Sequence, residues 1–386
     1  MLYLDPLYGR LEFSDKQLAL FQTPALTRIR DVSLSAVPPL ATASGMIGSR
    51  FEHSVGVAHL ASLLATKSDF QVQATNLFVA CLFHDIGSPP FSHISEILLE
   101  KISGQDHEAF AATFFENSET ATAIKNFGAD LDMVLKLITG KAKPWSDLVN
   151  GSIDLDNIDN SLRWGSAIGL FSPQFYEPEE LIQAFSLSGN ELQLKLEHES
   201  QIQKWELCRR LVYDVVYDDL NLTPEVMLKR ALQFAYEAGE LDQAFFMLTD
   251  SQALYVLEHR CNSKTQNLIK DMRAWRFFTP VTLIEETDTT ASDTFKDLCL
   301  DWEESQKIAD IIAHSLDLPR EAVAVYAGKD KGFKQIHLPF IGKGDIVQRH
   351  QPIQELKWRF KVYVDKKYHS KNEAITELTQ ALVQNP

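Results

Sequence analysis

The chain has 386 residues, 45% of them hydrophobic and 23% charged, and a formal net charge of −16. This is ordinary globular composition with length for two or three domains, and the acidic balance argues against a protein that coats long nucleic acid, which needs clustered Lys and Arg. Cys81, Cys208, Cys261 and Cys299 give no Cys-x-x-Cys spacing, so zinc-finger and thioredoxin readings fall away; Met1 to Arg10 does not read as a signal peptide, no apolar run is long enough for a membrane span, and a cytoplasmic location is expected.

In chain order, Leu4-Asp5-Pro6-Leu7-Tyr8-Gly9 is a turn signal, and a helical pattern capped by Ser14 or Asp15 follows. Periodicity stops from Pro38-Pro39 to Ser49, where a loop is expected. Arg50 to about Thr66 reads as a helix with Val57, Leu60, Ala61 and Leu64 on its apolar face and His53 near its start. Thr75 to Ile86 is apolar all round and reads as a buried helix, ended by Gly87 and Pro89-Pro90. Phe91 to Ile102 reads as a helix, and Asp106 is a natural N-cap for another. A short helix covers Met133 to Gly140. If the stretch after Ile153 is helical, Asp156, Asp159, Asn160 and Arg163 share one polar face. Ala184 to Leu196 carries a hairpin signal around Gly189-Asn190, and long helices run from Gln201 to Leu257. Thr279–Glu286, Ala322–Tyr326, Gln335–Phe340 and Trp358–Val364 look like strands, with a final helix over Asn372–Val383. The fold class expected is mainly α: a helical bundle with a β-hairpin insert over 1–265, and a smaller C-terminal α+β domain over 266–386.

The chemistry concentrates where His84 and Asp85 end an apolar run. An unpaired carboxylate buried there is costly, and a divalent ion is the economical partner for an imidazole and a carboxylate together. His53, His84, Asp85 and Asp156 come from separate helices, as ligands in helical bundles do, with His107 in reserve. Two His and two carboxylates without Cys suit Mn²⁺, Fe²⁺, Co²⁺, Ni²⁺ or Mg²⁺, one per chain. Asp154 and Asp159 read as cap or surface acids, and His93 as either a supporting group or a solvated helix end.

Arg50-Phe51-Glu52-His53-Ser54-Val55-Gly56-Val57, His84-Asp85-Ile86-Gly87 with Pro90-Phe91-Ser92-His93, and Ile153-Asp154-x-Asp156 together resemble the HD-domain phosphohydrolases, most nearly their deoxynucleoside triphosphate triphosphohydrolase branch. The likeness takes in Asp5-Pro6-Leu7-Tyr8-Gly9 and Ile336-His337-Leu338-Pro339, hence nearly the whole chain. The resemblance implies His53, His84, Asp85 and Asp156 as metal ligands, His107 as the acid on the leaving oxygen with Glu108 to orient it, and Arg50 beside the phosphates. Ser88, His93, Asn157, Asn160 and Arg163 are further candidates for substrate contact. Ser88 stands where the family has a second histidine; Asn157 and Asn160 replace Lys and Tyr; Val215 and Asp219 fall where it has a phosphate-binding Arg and a His; and Leu34 stands for a sugar-reading glutamine.

The expected activity is therefore metal-dependent phosphohydrolysis of a small phosphorylated substrate, a nucleotide or related phosphoester, with the triphosphate clamp altered. Alternatives are a deoxynucleoside triphosphate triphosphohydrolase proper, a diiron oxygenase on the same scaffold, and a catalytically silent nucleotide sensor. The resemblance also implies a homo-oligomer.

Overall fold

A computed structural model describes residues 2–34, 47–116, 118–342, 345–347, 349 and 355–384. The chain opens with a hairpin, β1 (Leu2–Asp5) and β2 (Gly9–Glu12), then the short helices α1 (Asp15–Phe21) and α2 (Pro24–Arg28). Next come α3 (Arg50–Leu64), α4 (Ala74–Phe83), α5 (Glu96–Ser103), α6 (His107–Phe115), α7 (Glu119–Phe127), α8 (Leu131–Ile138), α9 (Leu155–Ala167) and α10 (Pro178–Leu181). A second hairpin, β3 (Phe185–Ser188) and β4 (Glu191–Lys195), leads to α11 (Glu199–Val216), α12 (Asp219–Glu237), α13 (Asp250–His259) and α14 (Ser263–Arg273). The remainder is β5 (Thr279–Thr287), α15 (Asp293–Leu300), α16 (Trp302–Ser315), β6 (Val323–Lys329), β7 (Phe340–Gly342), β8 (Asp345–Val347), β9 (Lys357–Val364) and α17 (Asn372–Gln384). The architecture is thus mainly helical, with an α+β region towards the end.

Three apolar cores organise it. The first packs α1 to α4, α7 to α9 and α11 with the second hairpin, and contains Phe51, Val57, Leu82, Ile158 and Trp205. Ile336 and Phe340 return to this core, because β7 pairs in parallel with β4 through Leu194↔Phe340 and Lys195↔Ile341. The second joins α5 and α6 to α12, α13 and α14 through Leu98, Phe110, Leu228 and Phe246. The third lies between the antiparallel sheet β5-β9-β6 and α15, α16 and α17. Among the described residues no helix is long and apolar enough to cross a membrane.

Three expected elements differ. The helix expected to Ile86 stops at Phe83, so His84 and Asp85 sit in a tight turn beyond it. Two interactions fix that turn: the His84 ring bonds back to the Cys81 carbonyl, and Arg28 Nη2 donates to the carbonyls of Ile86 and Ser88. The helix expected from Phe91 is interrupted, because Phe91 and Ser92 have φ of 65° and 52°. Phe91 is held there by its N–H, which donates to the buried Asp250 carboxylate at 2.8 Å, and the α-helix begins only at Glu96. Of Gln335–Phe340, only Phe340 is in a strand.

Candidate metal centre

Helix α3 starts with a capping box: Ser49 Oγ accepts from Glu52 N, and Glu52 answers at Ser49 N. This fixes Arg50 at the first helical position and His53 one turn on. Helix α9 starts at the N-cap Asp154, whose carboxylate accepts from Asn157 N at 2.7 Å, placing Asp156 in the first turn, where the helix dipole favours negative charge. The turn after α4 brings His84 and Asp85 between them. His84 Nδ1 donates to the Cys81 carbonyl at 2.8 Å, which leaves the lone pair on Nε2.

Four donors meet. His53 Nε2 lies 2.9 Å from Asp156 Oδ1 and 3.2 Å from His84 Nε2. Asp85 Oδ2 lies 3.4 Å from His84 Nε2 and 3.7 Å from His53 Nε2. Such separations suit atoms sharing an ion at roughly 2.1 Å. The other oxygen, Asp85 Oδ1, accepts from Arg50 Nη1 at 2.7 Å, while Oδ2 is buried with no hydrogen-bond partner. An orphaned carboxylate oxygen aimed at two imidazole nitrogens is an acceptor set that fits a divalent cation.

Without an ion the charges regulate one another. Burial alone would raise the Asp85 pKa, but Arg50, His84 and His53 hold it well below the usual carboxylate range. Asp156 is likewise depressed, its burial outweighed by His53 and His84. Burial would lower His53, yet its bonds to Asp156 and Asp159 raise it to about 9.

Beside the centre is a polar cleft of about 170 Å³. Arg50, His93, His107, Glu108, Asn157 and Asn160, all expected near substrate, line it together with His84, Asp85 and Asp156. Asn150 and Tyr213 line it too and were not anticipated. Arg50 Nε donates to Ser92 Oγ at 2.9 Å, so the guanidinium is clamped on both sides.

Several expected roles are corrected. Arg163 does not reach the cleft: it is buried, donating to both oxygens of Asp159 and to Asp5. Ser88 is also buried, its hydroxyl turned to Asp85 Oδ1 at 3.3 Å. Glu108 does not orient His107. It accepts from Asn150 Nδ2 at 2.7 Å, and burial raises its pKa. The acid at His107 is Glu96, whose Oε1 is 3.2 Å from His107 Nδ1 and 2.9 Å from His93 Nδ1. Burial would raise the Glu96 pKa; His93, His107 and Arg50 pull it far down. Its spacing of three residues from His93, within the helix expected over Phe91–Ile102, was the available signal. Asp159, read as a cap or surface acid, is fully buried and bonds His53 Nδ1 at 2.7 Å. Val215 and Asp219 lie outside the cleft lining, Asp219 being bound by Lys361 and Tyr363, and Leu34 is buried outside it as well.

Residues 50–164, which supply every one of the four donors, match the family model of the HD domain. That segment, about three-tenths of the chain, is similar to the HD domain. HD domains bind divalent metals, and the described residues include a group able to hold one, His53, His84 and Asp156. An uncharacterized protein of Methanocaldococcus jannaschii is 24% identical over 379 residues, 94% of this chain and 78% of that one. The deoxynucleoside triphosphate triphosphohydrolase SAMHD1 homolog of Dictyostelium discoideum is 27% identical over 179 residues, 40% of this chain; the match spans 34% of that protein's length. A phosphohydrolase from Bacteroides thetaiotaomicron shares the fold, with a TM-score of 0.69 at 19% identity over 95% of this chain and 100% of that one.

Proposed function

We propose that this HD-domain protein hydrolyses a small phosphorylated substrate, a nucleotide or related phosphoester with fewer phosphates than a triphosphate. The observation that carries the reading is the convergence of His53, His84, Asp156 and the partnerless Asp85 Oδ2 at the edge of a polar cleft. A divalent ion held by these residues would supply Lewis acidity at a phosphoryl oxygen and a water of lowered pKa. Arg50 offers its guanidinium to the phosphoryl oxygens, its position fixed by Asp85 and Ser92, with His93 held beside it by Glu96. His107, with Nδ1 at Glu96, keeps Nε2 for passing a proton to the leaving oxygen.

Charge supports the smaller substrate. A triphosphate brings about four negative charges. Among the described lining residues the cleft offers one guanidinium, already paired with Asp85, and imidazoles, against the carboxylates of Asp85, Glu108 and Asp156. Asn150, Asn157 and Asn160 contribute amides, which suit a sugar or base more than polyphosphate. The second reading is a deoxynucleoside triphosphate triphosphohydrolase, favoured by the Dictyostelium relative's activity. A cytoplasmic homo-oligomer belongs to the same proposal, from the family resemblance.

The test is a release assay for phosphate and triphosphate with Mn²⁺ over deoxynucleoside mono- and triphosphates, cyclic nucleotides and oligonucleotides, with His107→Ala as control. Turnover of monophosphates supports the first reading; triphosphate released from deoxynucleoside triphosphates alone replaces it with the second. Activity that survives in Asp85→Ala refutes both.

A further inference from the structure

The N-terminal hairpin lies outside the matched HD domain, yet two of its side chains, Asp5 and Tyr8, reach the groups behind His53. Tyr8 Oη donates to Asp159 Oδ2 at 2.9 Å. Arg163 grips the same carboxylate, Nε to Oδ1 at 2.7 Å and Nη2 to Oδ2 at 2.8 Å, and its Nη2 also donates to Asp5 at 3.1 Å. Asp159 Oδ1 then takes the proton of His53 Nδ1 at 2.7 Å. A carboxylate held at both oxygens cannot turn, and as an acceptor it fixes the His53 proton on Nδ1. The Nε2 lone pair therefore faces His84, Asp85 and Asp156. Gly56 makes the approach possible: a Cβ there would lie 2.1 Å from Asp159 Oδ2 and 2.4 Å from Arg163 Nη2.

We propose that Asp159, Arg163, Asp5 and Tyr8 form a positioning unit for His53, so that the hairpin Leu2–Glu12 sets how tightly the centre holds a divalent ion. This rests on the metal-dependent reading above. None of the four touches substrate. A merely structural role, stapling the hairpin to the bundle, would change stability and leave metal affinity alone.

The experiment is calorimetric titration of the metal-stripped full chain with Mn²⁺, alongside melting in EDTA. Outer partners of ligating histidines are worth about 10–100-fold in metal affinity, and that loss is expected for Asp159→Asn. Tyr8→Phe removes one hydrogen bond and should weaken Mn²⁺ by about three- to tenfold, yet have no further effect in the Asp159→Asn background. Tyr8→Phe that lowers the melting temperature without moving Mn²⁺ affinity overturns the unit. So does a Tyr8→Phe loss of equal size in both backgrounds. If Asp159→Asn does not fold, the Tyr8→Phe affinity decides alone. A wild-type chain that binds no divalent ion refutes the function as well; one that binds normally beside an unaffected Tyr8→Phe refutes only the positioning unit.

Discussion

Arg50→Met isolates the charge balance on which the centre depends. Arg50 and Asp85 are each 3% exposed in their side chains and 2.7 Å apart, so neither has water to fall back on. Removing one partner of such a pair costs about 3–5 kcal/mol, because the other is left buried and uncompensated. At about 2.1 cal/mol/K per residue, the unfolding entropy of this chain is roughly 0.8 kcal/mol/K, so the loss corresponds to about 4–6 °C in melting temperature. That figure applies in EDTA. A divalent ion at Asp85 Oδ2 replaces the lost positive charge, so with saturating Mn²⁺ the deficit should shrink to a fraction of its EDTA value. Differential scanning calorimetry of both proteins, with EDTA and with Mn²⁺, gives the four numbers needed. An Arg50→Met protein that melts with the wild type in EDTA, or whose deficit is the same with and without Mn²⁺, would refute the reasoning.

Three other outcomes are expected. His107→Gln should lower turnover by about 10²–10⁴ while Mn²⁺ binding stays as in the wild type, checked by steady-state kinetics and calorimetry. Gly87→Ala should fold poorly or melt several degrees lower, since the added Cβ would lie 1.9 Å from the His107 carbonyl oxygen and 2.7 Å from Ala111 N, both backbone atoms that cannot step aside. His53 has a folded pKa near 9 against an unfolded value of about 6.5, so its contribution is complete below about pH 6.5 and is lost as pH rises through 9. Melting of the EDTA-treated protein between pH 6.5 and 9.5 should follow that slope, and His53→Gln should flatten it.

Three of the candidate metal ligands stand out in the sequence because they break a local pattern. His84 and Asp85 interrupt an apolar run, and Asp156 follows a recognisable N-cap, Asp154. The orienting groups broke none. Asp159 and Arg163 look like an i, i+4 surface pair, and only the packing of α3 on α9, 106 residues apart at His53 and Asp159, turns that pair inward. Tyr8 lies 151 residues from the carboxylate it bonds, which no periodicity reports. The overrun of α4 has the opposite cause: the apolar pattern continues through Ile86, so period alone could not see that His84 bonds back to Cys81 and ends the helix. Glu108 was named for His107 because it adjoins it in sequence, whereas adjacent helical residues face different directions.

The parallel pairing of β4 with β7 has a bearing on biosynthesis. Leu194 and Lys195 meet Phe340 and Ile341, so the first core waits for a strand made some 145 residues later. Until residue 340 has left the ribosome, β4 offers an open edge carrying buried-type side chains such as Leu192 and Leu194, a template for pairing with other chains. Expression from a message stopped at residue 265 should therefore give aggregate, even though every candidate metal ligand and every described residue lining the cleft has already been made.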